Sequence, residues 1–428
     1  MMATAVEIAT TLVTVGGLVY MLLALAGARQ FGRDCRRIAA TGANGAGVGL
    51  GFAPDVSILK PVKGVDACMY AGLASHCRQQ YAGRFEILFG VGSADDPAVE
   101  EIARLREEFP ECAIRLIVCP QRLGTSGKVS NLVQMLGEAK YDYVLINDSD
   151  ICVSQNYLSR VMRGFADAKV GMVTALYRGR TAADHPNEQA PTPANKFAGD
   201  PGTRRGSRAD GNALTLWSRL EALGISTDFM AGVLAARKLE GGIHFGLGST
   251  LAISRAALAA AGGLEPLVDS LGDDYEMGAR IAQAGFRVEL CGEVVETAVP
   301  AYGLRGFCEH QIRWARTMRD ARRWGYLGLG ITYCIPWAVL NCVASGFALW
   351  SFSLLSLVVL ARVAVALTVG VGLLGDAQVL RDIWLLPLRD FFGLGFWAWS
   401  YASDTIVWRG ESFHLRNGRL SPANEEKA

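Results

Sequence analysis

The chain has 428 residues, 51% of them hydrophobic and 19% charged, with a formal net charge of +1 at pH 7. This balance excludes a global electrostatic attraction to nucleic acid. Recognition of nucleic acid would instead need a local cluster of basic residues. The mean hydropathy of +0.23 favours a soluble domain joined to membrane segments. The ten cysteines form no C-x-x-C pair, so the sequence predicts neither a disulfide framework nor a structural zinc site.

The first predicted element is a transmembrane helix, which we assign to residues 1–30. Residues 8–28 carry no charge, and about 20 residues at a rise of roughly 1.5 Å span the ~30 Å hydrocarbon core of a bilayer. A signal peptide is the alternative, but the apolar run is too long and no positive charge precedes it. The arginines that follow the run are Arg29, Arg33, Arg36 and Arg37. The positive-inside rule places them, and the domain that follows, in the cytoplasm.

Residues 50–302 are predicted to form an α/β domain, because apolar runs alternate with segments of helical period. The predicted strands are 55–59, 85–91, 114–118 and 143–147, and the helices between them are 66–80, 97–109 and 128–139. This alternation indicates a mostly parallel sheet. Ligands bind at the carboxyl ends of the strands in such sheets, because the crossover helices cover both faces.

Two acidic clusters fall at this edge of the predicted sheet. Asp95 and Asp96 follow the second strand, and Asp148 and Asp150 follow the fourth with one serine between them. Carboxylates one residue apart suit a hard divalent cation such as Mg²⁺ or Mn²⁺, which would neutralise a departing diphosphate. A solvated turn is the alternative interpretation of so short a motif.

Segment 178–212 has almost no large apolar residues, which predicts a mobile insertion. The elements predicted after it are a helix over 213–238, a strand over 248–253 and a helix over 271–285. In the last of these, Asp273 suits the N-cap, Glu276 completes a capping box, and Gly285 suits the helix end.

Residues 303–326 are predicted to form an interfacial amphipathic helix. Its arginines recur at steps of three and four residues, at Arg313, Arg316, Arg319 and Arg323. One face of the helix is therefore basic, and we expect that face, apart from Arg313, to lie on anionic headgroups.

Residues 327–408 are predicted to return to the membrane. The stretch 327–375 contains a single charge, Arg362, and is long enough for two crossings. Arg362 either snorkels or faces protein. The next apolar segment, 383–408, contains Arg389 and Asp390, which are costly at mid-bilayer unless they neutralise each other. This segment either crosses or dips in and returns, whereas the basic tail, 409–428, favours a cytoplasmic end.

Seven motifs occur in order along the chain: SILKPVKGVD (57–66), SADDPA (93–98), GKVSNL (127–132), INDSDI (146–151), LGDDYEMGARIAQAGFR (271–287), HQIRWAR (310–316) and WRGESFHLRNG (408–418). Together they resemble the ceramide glucosyltransferase family, glycosyltransferase family 21, and the related bacterial hopanoid-biosynthesis glycosyltransferases. The first and last motifs are the specific ones. The resemblance implies a Rossmann-like GT-A fold, a UDP-sugar donor, a membrane lipid hydroxyl as acceptor, and inversion at the anomeric carbon.

The resemblance also implies roles for four aspartates. Asp96 matches the position that contacts the uridine, although an aspartate before a proline is also a common turn residue. Asp148 and Asp150 match the D-x-D position, with Asp150 as the metal ligand and Asp148 beside the donor. Asp274 matches the general base that takes the proton of the acceptor hydroxyl. Helix capping is the alternative role for Asp274, and we assign that role to Asp273.

The H-Q-I-R-W stretch departs from the family pattern [Q/R]-x-x-R-W at its first position, which is His310. Histidine carries less dependable positive charge at neutral pH, so its role here is open. By the resemblance, Arg313 steadies the diphosphate with its planar guanidinium, and Trp314 packs beside the acceptor.

Three further residues lie on motifs of the resemblance. Lys60 and Lys128 are expected on the phosphate side of the cleft, although each alone is more often an exposed lysine. His244 lies in a glycine-rich segment that in the family lines the acceptor cavity, but a lone histidine is more often structural.

These observations favour an integral membrane glycosyltransferase whose catalytic domain faces the cytoplasm. A processive polysaccharide synthase shares the acidic motifs, but four or fewer crossings are too few for a polymer channel. An inactive membrane scaffold is the third hypothesis, which the presence of every acidic position disfavours. Which sugar and which lipid are used stays open, because a few contacts decide between them.

Overall fold

The structure, a computed structural model, describes residues 2–43, 51–66, 68–181, 214–408 and 411–422. The helices are α1 (Met2–Ala43), α2 (Met69–Cys77), α3 (Ala98–Glu108), α4 (Gly127–Glu138), α5 (Tyr157–Met162), α6 (Leu216–Gly224), α7 (Met230–Glu240), α8 (Arg255–Ala260), α9 (Asp273–Gln283), α10 (Leu304–Ala321), α11 (Arg323–Thr332), α12 (Cys334–Ala344), α13 (Leu349–Val365), α14 (Gln378–Asp382) and α15 (Leu386–Ser400). The strands are β1 (Val56–Pro61), β2 (Phe85–Val91), β3 (Ala113–Val118), β4 (Tyr143–Ile146), β5 (Ile151–Cys152), β6 (Val170–Arg180), β7 (Leu251–Ser254), β8 (Arg287–Ala298), β9 (Thr405–Trp408), β10 (Glu411–Arg416) and β11 (Arg419–Pro422).

An eight-stranded sheet carries the α/β domain, in the order β3-β2-β1-β4-β7-β6-β8-β5. β1 pairs in parallel with β2 and β4, whereas β7 runs antiparallel between β4 and β6. The first five residues of β1 are buried, as expected for the central strand of a parallel sheet. The predicted α/β fold with a mostly parallel sheet is therefore confirmed, and the predicted elements of its first half lie within three residues of the observed bounds.

The second half of the domain corrects several predicted details. The helix predicted over 213–238 is observed as α6 and α7, joined by a π-helical turn at Ile225–Phe229. The capping box is wrong, because Gly272 is the N-cap residue of α9 and no side chain caps this end. The carboxylate of Asp273 is instead 3.2 Å from the Lys128 ammonium. Gly285 has a φ of +89°, which agrees with its predicted place at the helix end.

The predicted insertion begins later than expected. β6 continues to Arg180, so residues 178–180 belong to a strand of the sheet rather than to the insertion. The strand continues because each of these residues pairs with the end of β8. The remainder of the predicted segment, from residue 182 to residue 212, lies outside the described residues.

Two helical stretches of the described chain are long and apolar enough to cross a membrane, Thr4–Ile38 and Leu349–Leu373. A third span exists if α11 and α12, which meet at a bend of 58°, are counted as one. The predicted apolar helices towards both termini are thus confirmed. The N-terminal helix is longer than the predicted 1–30, because α1 continues as one helix beyond the apolar run.

Buried ion pairs hold the C-terminal helices to the α/β domain. Of the two alternatives predicted for Arg362, the structure shows the one in which the side chain faces protein. Its Nε lies 3.0 Å from Asp390 Oδ1. Arg389 and Asp390 do not neutralise each other, because Arg389 Nε binds Asp228 Oδ2 at 2.8 Å. Asp228 also pairs with Arg362. The partners in each pair lie far apart in the sequence. The adjacency of Arg389 and Asp390 therefore does not indicate which residues they pair with.

The last predicted membrane segment, 383–408, is not one continuous helix. It contains α15, which has 15 residues, and then β9. A helix of that length rises about 22 Å, which is short of the ~30 Å hydrocarbon core. This geometry favours the alternative in which the segment dips in and returns.

The C-terminal tail lies on the catalytic domain. β9, β10 and β11 form an antiparallel sheet. The backbone N–H of Leu271 donates to the carbonyl of Gly418 at 3.2 Å, and that of Leu420 donates to the carbonyl of Asp269 at 2.8 Å. The described part of the tail, 411–422, is therefore on the same side of the membrane segments as the catalytic domain.

The predicted basic face of α10 meets the segment that runs from the end of α15 to β9. Arg316 is 7% exposed and donates to the carbonyl of Thr405. Arg319 pairs with Asp404 and also donates to a carbonyl of α15. We therefore correct the expectation that Arg316 and Arg319 lie on headgroups, since both guanidinium groups bind protein.

Candidate active site

The carboxyl ends of β1, β4, β6 and β8 meet at one edge of the sheet, where the D-x-D loop follows β4. The loop is tied to β8 at two points. Thr297 Oγ1 donates to Asp150 Oδ2 at 2.8 Å, and the backbone N–H of Ala298 donates to the carbonyl of Asp150 at 3.3 Å. The side chain of Asp148 is 45% exposed, so it faces the open side of this edge.

Asp150 is partly buried beside a second carboxylate. Burial raises its pKa, the charge of Asp148 raises it further, and the hydrogen bond from Thr297 and the charge of Lys60 lower it. Two neighbouring carboxylates repel each other when both are ionised. A cation between them would relieve this repulsion.

Lys128 joins the D-x-D loop to the first turn of α9. Its Nζ lies 3.0 Å from Asp148 Oδ1 and 3.2 Å from Asp273 Oδ2. Burial lowers the pKa of Lys128, but Asp148, Asp273 and Asp274 together hold it above its ordinary value. The lysine is placed by α4, whose N-cap Ser126 accepts a hydrogen bond from the Val129 N–H. The predicted acidic residues from two distant parts of the chain are thus brought together.

Asp274 lies in the first turn of α9, against the glycine-rich segment before β7. Gly248 allows this approach, because a Cβ at that position would lie only 3.0 Å from Asp274 Oδ2. The other oxygen, Oδ1, accepts a hydrogen bond from the Tyr275 N–H at 2.8 Å. Burial and the charge of Asp273 raise the pKa of Asp274 from 3.8 to about 6, although Lys128 lowers it. A carboxyl group with this pKa is suited to accept a proton near neutral pH.

Tyr177 on β6 lies among the acidic residues. Burial raises its pKa, and Asp274, Asp148 and Asp150 raise it further in that order. Asp274, Asp148 and Asp150 therefore all lie within electrostatic range of one side chain. Sequence reasoning missed Tyr177, although a tyrosine near the carboxyl end of an apolar strand was a usable signal.

Lys60 lies beneath the D-x-D loop and is completely buried. Its Nζ donates to Asn147 Oδ1 and to the carbonyl of Asp148, each at 2.9 Å. Burial lowers its pKa to about 8, while Asp150 and Asp148 raise it. In this conformation Lys60 supports the loop from below and reaches the cleft only through Asp148.

Asn147 and His76 complete the support beneath this loop. Asn147 Nδ2 lies 3.0 Å from His76 Nε2, and both residues are completely buried. Burial and the charge of Lys60 hold the pKa of His76 well below its ordinary value. His76 lies in no motif, and Asn147 lies in INDSDI but was given no role there, so this support was missed.

Asp96 holds the loop after β1 against the start of α3. Its Oδ1 accepts hydrogen bonds from the backbone N–H groups of Gly64 and Ala98, both at 2.9 Å. Gly64 has a φ of +69°, a conformation that glycine adopts readily. The turn role that we weighed for Asp96 is therefore observed, and the carboxylate is placed at the carboxyl edge after β2.

His310 and Trp314 lie on α10, which borders the cleft. His310 Nδ1 is 2.7 Å from Glu221 Oε1, and its ring is stacked on Tyr302. The Trp314 ring lies 5.2 Å from the His310 ring and 5.7 Å from the Phe229 ring. Phe229 in turn lies 5.8 Å from Tyr177, so aromatic rings connect α10 to the acidic cluster.

Arg313 is placed through its effect on Tyr302. Burial raises the pKa of Tyr302, Glu221 raises it further, Arg313 lowers it, and Asp150 raises it. Arg313 and Asp150 therefore both lie within electrostatic range of the Tyr302 phenol. The buried carboxylate of Glu221, which is 3% exposed, was missed in the sequence because it belongs to no motif.

His244 lies apart from the carboxylates. It lines a surface cavity of about 350 Å³ together with Phe245, Tyr275 and Arg322. The rings of Phe245 and Tyr275 are stacked at 5.7 Å, which places the cavity next to the residue that follows Asp274. The role of His244 stays a prediction.

The model of one sequence family, Glycosyl transferase family 21, matches residues 9–187 and 208–421 of the chain. The chain belongs to this family. The family and the strand order agree with the predicted GT-A fold class.

Family 21 relatives with assigned names include ceramide glucosyltransferases. Ceramide glucosyltransferase 3 of Caenorhabditis elegans is 24% identical over 266 residues, which cover 61% of this chain and 50% of the relative. Ceramide glucosyltransferase of Komagataella phaffii is 35% identical over 109 residues, which cover 24% of this chain and 21% of the relative. The chain thus spans half of the length of the first relative and about a fifth of the second.

Solved structures similar to this family 21 chain include other glycosyltransferases. A mannosyltransferase from Pyrobaculum calidifontis in complex with GDP-Man and Mn²⁺ has a TM-score of 0.48 and 18% identity, and the match covers 94% of this chain and 97% of that one. Glucosyl-3-phosphoglycerate synthase from Mycobacterium tuberculosis has a TM-score of 0.36 and 16% identity, and the match covers 64% and 80%. Both similarities are too low for an inference about activity.

Proposed function

We propose that this family 21 protein is an inverting glycosyltransferase that moves a hexose from a UDP-sugar to a hydroxyl group of a membrane lipid. The observation that carries the proposal is the partly buried carboxyl group of Asp274, with a pKa of about 6, in the same cluster as Lys128 and Asp148. Ceramide-like lipids and hopanoids are the proposed acceptors. The names of the curated relatives support a ceramide-like lipid.

Asp274 is the proposed general base. The acceptor hydroxyl must lose its proton as its oxygen attacks the anomeric carbon from the face opposite the leaving diphosphate. The raised pKa makes Asp274 a stronger base than an ordinary aspartate, while it stays ionised at neutral pH.

The donor diphosphate is proposed to lie between Lys128, Asp148 and Arg313. Lys128 is held above its ordinary pKa and so stays charged, and the planar guanidinium of Arg313 can bind two phosphate oxygens. Asp96 is the proposed uridine contact. Trp314 is proposed to pack against the acceptor, in line with its position on the aromatic path to Tyr177.

A divalent cation, Mg²⁺ or Mn²⁺, fits the chemistry of the D-x-D loop, and Asp150 is its proposed ligand. Within the described residues no group of three or more His, Cys, Asp or Glu side chains is arranged to hold a metal. Mg²⁺ commonly binds one or two carboxylates together with substrate phosphates, so a complete protein site is not required. The charge of Asp148 raises the pKa of Asp150, which supports a cation here. When bound, the cation would neutralise the departing diphosphate.

The proposed enzyme is an integral membrane protein whose catalytic domain faces the cytoplasm. The two helical stretches long enough to cross a membrane support the first statement. The arginines that follow the apolar part of α1 support the second through the positive-inside rule.

The test is transfer by the purified full chain in detergent, with a panel of UDP-sugars, Mn²⁺ and either ceramide or a total membrane lipid extract. We expect a glycolipid that mass spectrometry identifies by the mass of one added hexose. A protein that binds UDP-sugar in the presence of Mn²⁺ and transfers to none of these lipids contradicts the proposal.

A further inference from the structure

A basic groove lies between α1 and α7, outside the cleft described above. Its volume is about 460 Å³, and it is lined by Ala26, Arg29, Gln30, Arg33 and Lys238. Three of these five residues are cationic and none is acidic. The groove is therefore suited to an anion.

Close packing of the two helices builds this groove. Gly27 is in contact with α7, because a Cβ at this position would lie 2.3 Å from the carbonyl oxygen of Leu234. The same Cβ would lie 3.4 Å from the Cβ of Lys238, so the lysine begins directly beside α1. Lys238 Nζ then donates to Gln30 Oε1 at 2.8 Å. The ammonium group is thereby held on the face of α1 that carries the two arginines.

The part of this α1 face that precedes the groove in the sequence is apolar. Large exposed side chains follow each other at steps of three and four residues, at Ile8, Leu12, Val15, Val19 and Leu22. These steps continue to the groove residues Ala26, Arg29 and Arg33. Seven residues separate Leu22, which is 63% exposed, from Arg29, a rise of about 10 Å. The stripe thus changes from lipid-facing to basic at the depth where a bilayer presents its headgroups.

No acidic side chain of the described chain neutralises the arginines of the groove. The nearest carboxylate along α1 is that of Asp34, and its Oδ2 lies 2.9 Å from Arg237 Nη2. The cation of Arg237 also lies over the Phe31 ring, so this pair is directed away from Arg29 and Arg33. The positive charge of the groove is therefore available to bind an anionic ligand.

We propose that this groove binds the phosphate headgroup of an anionic phospholipid, which seats α1 and α7 at the membrane surface without being a substrate. Three cations at one headgroup depth match a phosphate group, and basic pockets beside membrane helices bind anionic headgroups elsewhere. The site differs from the proposed catalytic cleft in every lining residue, so it stands or falls independently of the proposed function.

The experiment measures the thermal unfolding of the purified full chain in a neutral detergent. Phosphatidylglycerol, phosphatidylcholine or inorganic phosphate is added at matched phosphate concentrations. Because a ligand of the folded state raises the apparent Tm, we expect an increase of several degrees with phosphatidylglycerol alone. The variant R29Q/R33Q/K238Q loses most of that increase, whereas R29K/R33K keeps it.

The matched control is R84Q/R106Q/K140Q, which removes the same charge from exposed positions of the α/β domain. We expect this control to keep the full increase in Tm. If the triple groove variant does not fold, the single variants R29Q and R33Q are each expected to lose part of the increase. An unchanged response of the groove variants, an equal loss in the control, or the same increase with inorganic phosphate overturns the proposal.

Discussion

Two shielded clusters of charge in this protein differ in their balance. The membrane-frame cluster consists of Arg362, Arg389, Asp228 and Asp390, and each cation has a carboxylate partner. The candidate-site cluster consists of Asp148, Asp150, Asp273, Asp274, Lys60 and Lys128, with four carboxylates against two lysines. The charges of the first cluster neutralise one another. The second cluster keeps an excess of negative charge, which is available to a cationic or cation-bound ligand.

This difference separates charge that holds the fold from charge that is available for chemistry. Burying an ion pair gains little overall, because desolvation offsets most of the attraction. The ion pairs of the first cluster therefore act mainly by fixing how α13 and α15 lie against Asp228. An unbalanced cluster instead shifts pKa values: burial raises the pKa of Asp274 to about 6, and the charge of Asp273 contributes to this rise.

The largest expected effect is on the unbalanced cluster, through Asp274→Asn. Asparagine has nearly the same shape but cannot accept the proton, so we expect transfer to fall by about 10²–10⁴-fold. Binding of the UDP-sugar should stay close to that of the wild type, since the base acts on the acceptor. The measurements are kcat with a lipid acceptor and calorimetric donor affinity.

The control for this substitution is Asp167→Asn, a change of the same size at a surface carboxylate. Its activity should equal that of the wild type. Parallel loss of transfer and donor binding in Asp274→Asn would remove the base assignment.

The balanced cluster should respond in stability, and Arg362→Met tests it. The substitution leaves Asp390 buried without its cation, so we expect a loss of about 3–5 kcal/mol in the free energy of unfolding. The double variant R362M/D390L removes both charges and should recover part of that loss. Thermal unfolding of both variants in detergent gives the measurement. A single variant as stable as the wild type would show that the cluster does not hold the frame.

The contrast between the clusters also shows what the sequence could predict. Strand ends are local features, so the acidic residues of the D-x-D loop were predicted at the correct edge of the sheet. The partners of Arg362 were not, because Asp228 and Asp390 are 134 and 28 residues away from it. A pairing that depends on how distant helices pack leaves no periodic signal.

The N-terminus of α9 illustrates the same limit on a smaller scale. Local rules placed Asp273 at the N-cap, and in isolation that position is favourable. In the folded chain Lys128 binds Asp273, and the helix begins one residue earlier than the rule required, with Gly272 as its N-cap. Tyr177 and Glu221 were missed for a related reason, since each gains its importance only from neighbours that the fold supplies.

A smaller effect is expected for Asp150→Ala, which removes the proposed metal ligand. We expect donor affinity in the presence of Mn²⁺ to fall about tenfold, which corresponds to about 1.4 kcal/mol. Affinity without Mn²⁺ should change little, because Thr297 rather than the donor occupies one oxygen of the carboxylate. Calorimetry with and without Mn²⁺ gives both values, and equal affinity of variant and wild type with Mn²⁺ would assign the metal elsewhere.

The smallest expected effect is a shift in the pH profile. Asp274 acts as a carboxylate, so kcat/KM should fall as the pH decreases through about 6 in the wild type. Asp273 raises the pKa of Asp274 and Lys128 lowers it. Asp273→Asn should therefore move the midpoint to lower pH, and Lys128→Met should move it to higher pH.

Glu276→Gln is the matched control for these shifts, because Glu276 lies in the same first turn but pairs with Arg280. Its midpoint should equal that of the wild type. Opposite shifts for Asp273→Asn and Lys128→Met arise only if the base senses the unbalanced charge of its own cluster. Shifts in the same direction, or none, would place the titrating group outside that cluster and remove the physical basis for the high basicity of Asp274.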